Sequence, residues 1–556
     1  MATISNISEK YKDIISKSSR ISSGSPALYQ LRPKKEEFGT LTRKTVGERN
    51  LKKVNKTILL VGETGTGKST LINTMVNYAM GVEFDDDIWF EIVEEEKGSQ
   101  SESQTSDVIV YEIFGFEDKT LPFSLTIIDT PGYGDTRGTE HDLIVSHRLF
   151  DLFRSEEGVH EVSAVGLVMK ASENRLSDRL MYIFSSVMSL FGNDMEKNIV
   201  TLITHSDGRK PKNVLEALEA AKIKCARNEK NQPVHFLFNN CQKEDRTDDR
   251  EVLELADKIT VRGISQFKDF LEKNAPQKLE KTVDVLNEHV RLTACIQNLQ
   301  ERIKLIELKQ TEIKQTKEAL KKYEEEMKKN EKFTVEVDEV YRDKEPIDGG
   351  MGGFLWLLYT GAVTCKVCEE NCHYPGCTTA PSPNHCKIME RGHCIVCTNK
   401  CPASDHVKEK WIYVNKTRKV QKTLQGMKDK YEENKAESEK KSSLLENLEK
   451  EMKELTNNKD QYLDESYQHV VRLEQISLNV NSVSTHVHLD FLTEKMKDSG
   501  DTEKVQKLEE IKGRVDTRVP AALRFVYVKI MSAGRGLKDV FYLSGQTGVG
   551  ETSSLH

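Results

Sequence analysis

Long apolar runs are missing from this 556-residue chain, and the longest candidate, Phe354–Val363, is far short of the ~20 residues that span a bilayer. No transmembrane segment is therefore expected. The opening residues, MATISNISEKYKD, lack an apolar core behind a basic start, which argues against a secretory leader. Hydrophobic residues make up only 37% and aromatics 7%. That is low for a compact domain, so part of the length should be extended helix or solvated segment. A net basic field is missing as well: 82 Lys+Arg stand against 89 Asp+Glu, a net charge of −7. Nothing in that balance would hold polyanionic phosphates, and nucleic acid is not an expected partner. Cysteine is scarce over most of the chain. Of the 11 cysteines only Cys225, Cys241 and Cys295 lie outside a cluster of eight between Cys365 and Cys401. Crowding of that kind points to metal binding in a reducing compartment, and the expected location is cytoplasmic.

At about 150 residues per domain, the length has room for three or four units. Residues 1–50, rich in Ser, Lys and Arg, read as a flexible N-terminal segment. From 51 to 275, short β-rich runs (Thr57–Val61, Val108–Ile113, Leu125–Ile128, Val162–Met169, Ile199–Ile203, Val234–Phe238) alternate with helix-length segments. This predicts an α/β domain with a mainly parallel sheet and flanking helices. Over 276–332, Val285, Leu292, Leu299, Ile306, Ile313, Leu320 and Met327 recur every seventh residue, the mark of a coiled-coil helix. A long amphipathic helix packed on its own domain would show the same stripe. A second such helix is expected over 417–475, from about Val420, with Leu424, Met427, Tyr431, Leu445, Leu448, Met452 and Leu455 on its apolar face. Between them, 333–416 holds the cysteines, flanked by Phe333–Tyr341 and Lys410–Asn415, which could pair as antiparallel strands. The expected architecture is a helical coiled-coil hairpin with a small Cys/His module at its tip, followed by a C-terminal segment, 476–556.

Gly62-Glu-Thr-Gly-Thr-Gly-Lys68-Ser69 fits G-x-x-x-x-G-K-[ST] between a strand and a helix. Gly65 and Gly67 let the backbone turn its amides onto phosphate oxygens, and the next helix adds its positive end. Gly62, Thr64, Thr66 and Thr70 complete the cradle. Lys68 would neutralise the β- and γ-phosphates, and Ser69 would ligate magnesium. Asp129 closes the strand Leu125–Asp129 and can hold the same magnesium, while Gly132, without a side chain, can bring its amide to the γ-phosphate. A third strand closes on Thr204-His205-Ser206-Asp207. A carboxylate there can accept both N1–H and N2–H of guanine, a donor pair adenine lacks. Leaving it unpaired would forfeit charged hydrogen bonds at ~1.5–3 kcal/mol each.

These motifs in this order resemble the septin and immunity-associated (GIMAP-like) branch of the translation-factor-class GTPases. Asp129-Thr-Pro-Gly-Tyr-Gly-Asp135 is similar to the septin magnesium motif. Phe191–Asp207 and Phe238-Asn239-Asn240 resemble the immunity-associated GTPases. The resemblance covers residues 54–275. It implies a P-loop GTPase domain that binds GTP or GDP, Asn239 or Asn240 beside the base, and G domains that pair across the nucleotide. His205 departs from the lysine usual at that place. Thr105 is the candidate switch threonine, a third magnesium contact. The water-orienting glutamine is missing after Gly132, where Tyr133 stands; Arg137, Glu140 and His141 are alternatives. Catalysis would then rest on Lys68, Thr105 and Gly132, and should be slow or need assembly.

Cys365-x2-Cys368-x3-Cys372-His373 and Cys394-x2-Cys397-x3-Cys401 repeat one spacing, with Cys377, His385, Cys386, His393 and His406 around them. Two residues between cysteines turn both sulfurs toward one metal, as in zinc ribbons. These 12 side chains suffice for two or three zinc ions, with disulfides or a redox cluster as alternatives. The module has little apolar sequence, so metal would supply its stability.

The expected function is a guanine-nucleotide-binding protein with slow or assembly-stimulated GTP hydrolysis, coupled to a helical, zinc-bearing arm. Partners would be a second copy, through the G domain or the coiled coil, and a protein the sequence does not identify. The competing expectation is a scaffold that holds GTP without hydrolysing it. Near the C-terminus, Gly545-Gln-Thr-Gly-Val-Gly550-Glu551-Thr552 echoes the phosphate loop, but Glu551 replaces the lysine and would repel phosphate. It is a chance tail or the stump of a second G domain, and no nucleotide is expected there.

Overall fold

A computed structural model describes residues 10–38, 41–94, 108–130, 148–149, 151–155, 157–247, 249–330, 334–347, 361–377, 382–423, 444–479 and 483–513. The chain divides into two compact units. Among the described residues, one comprises those between 10 and 286 with 476–479 and 483, the other those between 287 and 475 with 484–513.

The first unit is built on an eight-stranded sheet: β1 (Lys34–Phe38), β2 (Leu41–Val46), β3 (Asn55–Gly62), β4 (Ile109–Ile113), β5 (Ser124–Asp129), β6 (Ala164–Lys170), β7 (Ile199–Thr204) and β8 (His235–Leu237). Their spatial order is β8-β7-β6-β3-β5-β4-β2-β1. Pairing is parallel from β8 through β5 and again between β2 and β4. It is antiparallel at β4–β5 and β1–β2. The central strands are continuously apolar because both faces are covered. Leu59, Val61, Val165 and Leu167 point into one core cluster, while Ile58, Leu60, Val168 and Leu202 point into the other. Helices α1 (Lys68–Met80) and α4 (Arg250–Lys273) contribute Leu71, Ile72, Phe267 and Leu271 to the second cluster. Helices α2 (Asp178–Met188) and α3 (Lys212–Ala220) contribute Phe184 and Leu218 to the first.

The expected flexible lead-in is folded from residue 10 onward. Besides β1 and β2, Ser18–Ser22 and Ala27–Leu31 form strands, and Ala27–Leu31 runs beside Ile88–Glu91. Tyr11, Leu31, Phe38 and Leu41 are buried. Their apolar side chains are widely spaced among charges, which hid the strands.

The second unit holds most of α5 (Glu280–Lys329), a 50-residue helix. Leu292, Leu299, Ile306 and Ile313 of the heptad stripe are buried within the chain. The side chains of Leu320 and Met327 lie outside the description. Helix α6 (Leu444–Ile476) is antiparallel to α5: Lys309 pairs with Glu451 at 3.1 Å, and Glu288 with His469 at 2.9 Å and Arg472 at 3.3 Å. The shorter α7 (Val483–Ser499) and α8 (Thr502–Gly513) follow.

The expected flanking strands are present and longer than foreseen. β9 (Val335–Pro346) and β13 (Trp411–Lys422) form an antiparallel ribbon from Val335↔Lys422 to Pro346↔Trp411. Val420 therefore belongs to a strand, and the second helix is described only from Leu444; Leu424, Met427 and Tyr431 lie outside the described residues. The ribbon runs back along α5, with Asp338 against Gln315 and Asn415 against Glu301. The Cys/His module, a sheet of β10 (Gly361–Cys365) between β11 (Glu370–Cys377) and β12 (His406–Glu409), thus sits beside Arg291–Arg302 of α5. This corrects the expected tip: the module lies well back from Lys329, because the ribbon reverses the chain before the cysteines begin.

Candidate functional site

The loop between β3 and α1 is closed on its own lysine. Gly65 and Gly67 take φ of +78° and +87°, the left-handed region that a residue with a Cβ rarely adopts. That lets the chain wrap back so that Lys68 Nζ donates to Gly62 O at 2.9 Å and Glu63 O at 3.1 Å. Thr66 Oγ1 donates to Glu63 O at 2.8 Å. Lys68 is buried, which lowers its pKa to about 8, opposed by the charges of Asp129 and Glu63. Asp129, at the end of β5, is fully buried. A cation seated on backbone carbonyls, at the positive end of a helix and within reach of a buried carboxylate, is an arrangement whose chemistry suits an anion and a divalent cation.

The turn that follows β7 is tied to this loop. Thr204 Oγ1, at the end of β7, donates to Thr66 O at 2.7 Å, with Met169 O also close at 3.1 Å. Next, His205 has a φ of +51°, and burial, then the charge of Lys170, lowers its pKa. Asp207 stands largely in solvent, 69% exposed, with Arg209 Nε at 3.7 Å. The Asn239–Asn240 turn is positioned by α4. Thr260 Oγ1 accepts from Asn239 N and donates to Asn239 O, both at 2.9 Å. Gly263 permits that approach, since a Cβ there would lie 1.9 Å from Leu237 O. Of the two asparagines, Asn240 has a buried Nδ2 with no hydrogen-bond partner among the described residues. Thr130, part of the Asp129–Asp135 motif, donates from Oγ1 to Leu60 O at 2.8 Å. Thr260 was not singled out from the sequence, and nothing in its local spacing marks it, because its partner is distant in the chain.

Gly62, Thr64, Gly65, Thr66, Gly67, Lys68, Ser69 and Thr70 therefore lie on one loop and the first turn of α1. Asp129 and Thr204 are beside it. Thr105, Gly132, Tyr133, Arg137, Glu140 and His141 lie outside the described residues, as does the C-terminal echo, Gly545–Thr552.

Residues 52–147 match the family model described as Septin. This segment belongs to a septin-like G domain. Among curated proteins, no match to the chain is found. Solved structures give loose superpositions. Toc33 from Arabidopsis thaliana, a dimerization-deficient mutant, is 12% identical, covering 49% of this chain and 93% of that chain at a TM-score of 0.26. Toc33 from the same organism in complex with GDP and Mg2+ is 14% identical, covering 39% and 85% at 0.26. Toc33 with Mg2+ and GMPPNP is 14% identical, covering 40% and 86% at 0.26. Overlap this loose says nothing of function.

The second unit carries another cluster of chemistry. Among the described residues, two groups are close enough to hold a metal ion: Cys365, Cys368, Cys397 and Cys401, and Cys372, Cys394, Cys397 and His406. Both Cys-x2-Cys turns aim amides at sulfur. Cys368 N donates to Cys365 Sγ at 3.3 Å; Val396 N and Cys397 N donate to Cys394 Sγ, each at 3.3 Å. Hydrogen bonds from Cys372 and Cys397, together with these amides, bring the Cys394 thiol down to about 4. Burial pushes Cys365 up to about 12. The other candidates separate from these groups. His373 Nδ1 is 3.1 Å from Cys386 Sγ, His385 Nδ1 is 2.8 Å from Ser382 Oγ, and His393 is exposed. Cys377 lies in β11, its side chain outside the description. Glu370, which joins Arg302 and Thr398, anchors the module to α5. No helix of the structure, among the described residues, is long and apolar enough to cross a membrane.

Proposed function

We propose that the G domain binds GTP and GDP with magnesium at Gly62–Ser69, and that the chain is a slow or assembly-stimulated GTPase. The carrying observation is the seat of Lys68: a buried ammonium on the carbonyls of its own loop, with Asp129 at hand. Bound phosphates would replace those carbonyls as partners of Lys68. Ser69 and Asp129 fit magnesium, being a hydroxyl in the first turn of the helix that follows β3 and a carboxylate at the end of β5, the parallel neighbour of β3. Magnesium would neutralise charge on the β- and γ-phosphates. Asp207, open to solvent, would accept from guanine, His205 would cover the base, and the spare donor of Asn240 favours it over Asn239 as the flanking residue. Thr105 and Gly132 would close on the γ-phosphate. Pairing of two G domains across the nucleotide follows from the septin likeness, and a second copy is the proposed first partner.

The Cys/His module is proposed to hold structural zinc, and the helices to carry the nucleotide state to a further protein. On this reading the protein is cytoplasmic, because cysteines kept for zinc need a reducing compartment. Single-turnover hydrolysis at several protein concentrations tests the enzyme reading. Turnover that rises with concentration supports it; no turnover at any concentration defeats it and leaves a constitutively GTP-bound scaffold.

A further inference from the structure

We propose that the two ligand groups form one binuclear zinc–thiolate centre in which Cys397 Sγ bridges both ions. The proposal rests on the zinc reading above and assigns its ligands. Seven side chains fill two four-coordinate sites only if one serves twice, and Cys397 is the residue common to both groups. Within each group all ligand atoms lie within 4.8 Å of one another. Sulfurs at the corners of a tetrahedron with zinc–sulfur bonds of about 2.3 Å stand ~3.8 Å apart. Cys368 Sγ and Cys401 Sγ are separated by 3.6 Å, close to that edge. A thiolate has three lone pairs. Cys397 Sγ, fully buried, accepts one amide, from Cys401 N at 3.2 Å, which leaves two for metal.

His406 supplies an independent sign. Its Nδ1 lies 2.9 Å from Pro402 O, and a carbonyl can only accept, so the ring proton is on Nδ1. Nε2 is then a bare acceptor. The residue is 4% exposed, and Nε2 has no hydrogen-bond partner among the described residues. A buried imidazole nitrogen without a donor, its other nitrogen fixed by a carbonyl, is the arrangement of a metal ligand. Two zinc dications with six thiolates and a neutral imidazole leave a charge of −2, which the amides on Cys365, Cys394 and Cys397 spread. The centre would tie the Cys365–Cys368 turn, β11, the Cys394–Cys401 loop and β12 into one body.

The test uses the full chain. Elemental analysis with native mass spectrometry should find two zinc ions per chain, and cadmium-113 NMR of the exchanged protein should show the β-protons of one cysteine, Cys397, coupled to two cadmium resonances. Cys368→Ser and His406→Ala should each retain one ion; Cys397→Ser should retain less than one; Cys386→Ser should retain two. Two ions with no cysteine coupled to both would overturn the bridge while leaving the zinc reading intact. Less than one ion per chain in the unmodified protein would overturn both. The cadmium spectrum decides the matter even where Cys397→Ser does not fold.

Discussion

Lys68 and Cys397 are both buried polar groups, at 7% and 0% exposure, yet their surroundings have little in common. Lys68 sits at the end of a sheet whose two faces each carry a large cluster of Leu, Ile, Val and Phe. The core around Cys397 is mostly cysteine itself, eked out by Val363, Ile388, Val396 and Ala294. In the G domain the fold exists first and offers a site to the ligand. In the module the ligand would make the fold, because so few apolar side chains cannot offset the entropy of ordering the chain. The same contrast governs how each region should fail.

The largest expected effect is the removal of zinc. Structural zinc contributes apparent free energies of about 10–16 kcal/mol in small domains at neutral pH. Chelation should abolish amide-exchange protection of the module around Cys365 and Cys394 while protection of β3, β6 and β7 persists. Loss of protection in both regions together would break the distinction. Second is Lys68→Ala, which removes hydrogen bonds to phosphate at ~1.5–3 kcal/mol each, so GTP affinity should fall at least about 100-fold. Zinc content should stay unchanged, and calorimetry with elemental analysis reads both. A mutant that still holds a full equivalent of GTP would place the nucleotide elsewhere in the chain.

A smaller effect sharpens the account of the phosphate loop. Thr204→Val keeps the volume but leaves Thr66 O without its 2.7 Å donor, at a cost of ~1–3 kcal/mol for a buried acceptor. GTP affinity should drop by roughly 10-fold, since the loop loses the bond that connects it to the turn after β7. Equal affinity in titration calorimetry would show that the loop keeps its shape without β7.

Why these residues differ in legibility is a matter of range. Gly62–Ser69 announces itself because the backbone turn, the lysine and the helix start are contiguous, so the local geometry is the site. Asp129 and Asp207 follow because each closes a continuous apolar run, and such runs read as buried strands. The partner of Thr204, by contrast, is 138 residues away, and the threonine that holds Asn239 comes from a helix 21 residues later. Spacing carries no trace of either. In the module, the Cys-x2-Cys repeats drew attention to the cysteines, yet their grouping with a histidine depends on β12 bringing His406 back beside Cys365, their Cα atoms paired across two strands. The heptad stripe spoke of a long helix, and the second helix folded back along it was expected too; what the stripe did not show was where the module sits between them. The reversal by the β9–β13 ribbon, a run of charged and β-branched residues, placed the module beside Arg302 instead of at a tip.

The finest distinction between the two regions is the direction in which protons move. Burial depresses the Lys68 pKa from 10.5 to about 8, so without nucleotide the folded state binds fewer protons than the unfolded state between those values. Stability of the free G domain should therefore rise with pH across pH 8 to 10.5 and be lost as pH falls through 8. Phosphate reverses this, because its charge favours the ammonium. At pH 8 roughly half of the free lysine is neutral, so GTP binding should take up about half a proton from Lys68. Thiols move protons the other way: a cysteine must be deprotonated to bind zinc, so loading the module releases them. Titration calorimetry at pH 8 in two buffers of different ionisation enthalpy separates the two signs, with uptake for GTP and release for zinc. In Lys68→Met the uptake on any residual GTP binding should vanish, whereas the zinc signal should not change. GTP binding to the unmodified chain with no proton uptake would mean that the lysine is already charged and paired before phosphate arrives.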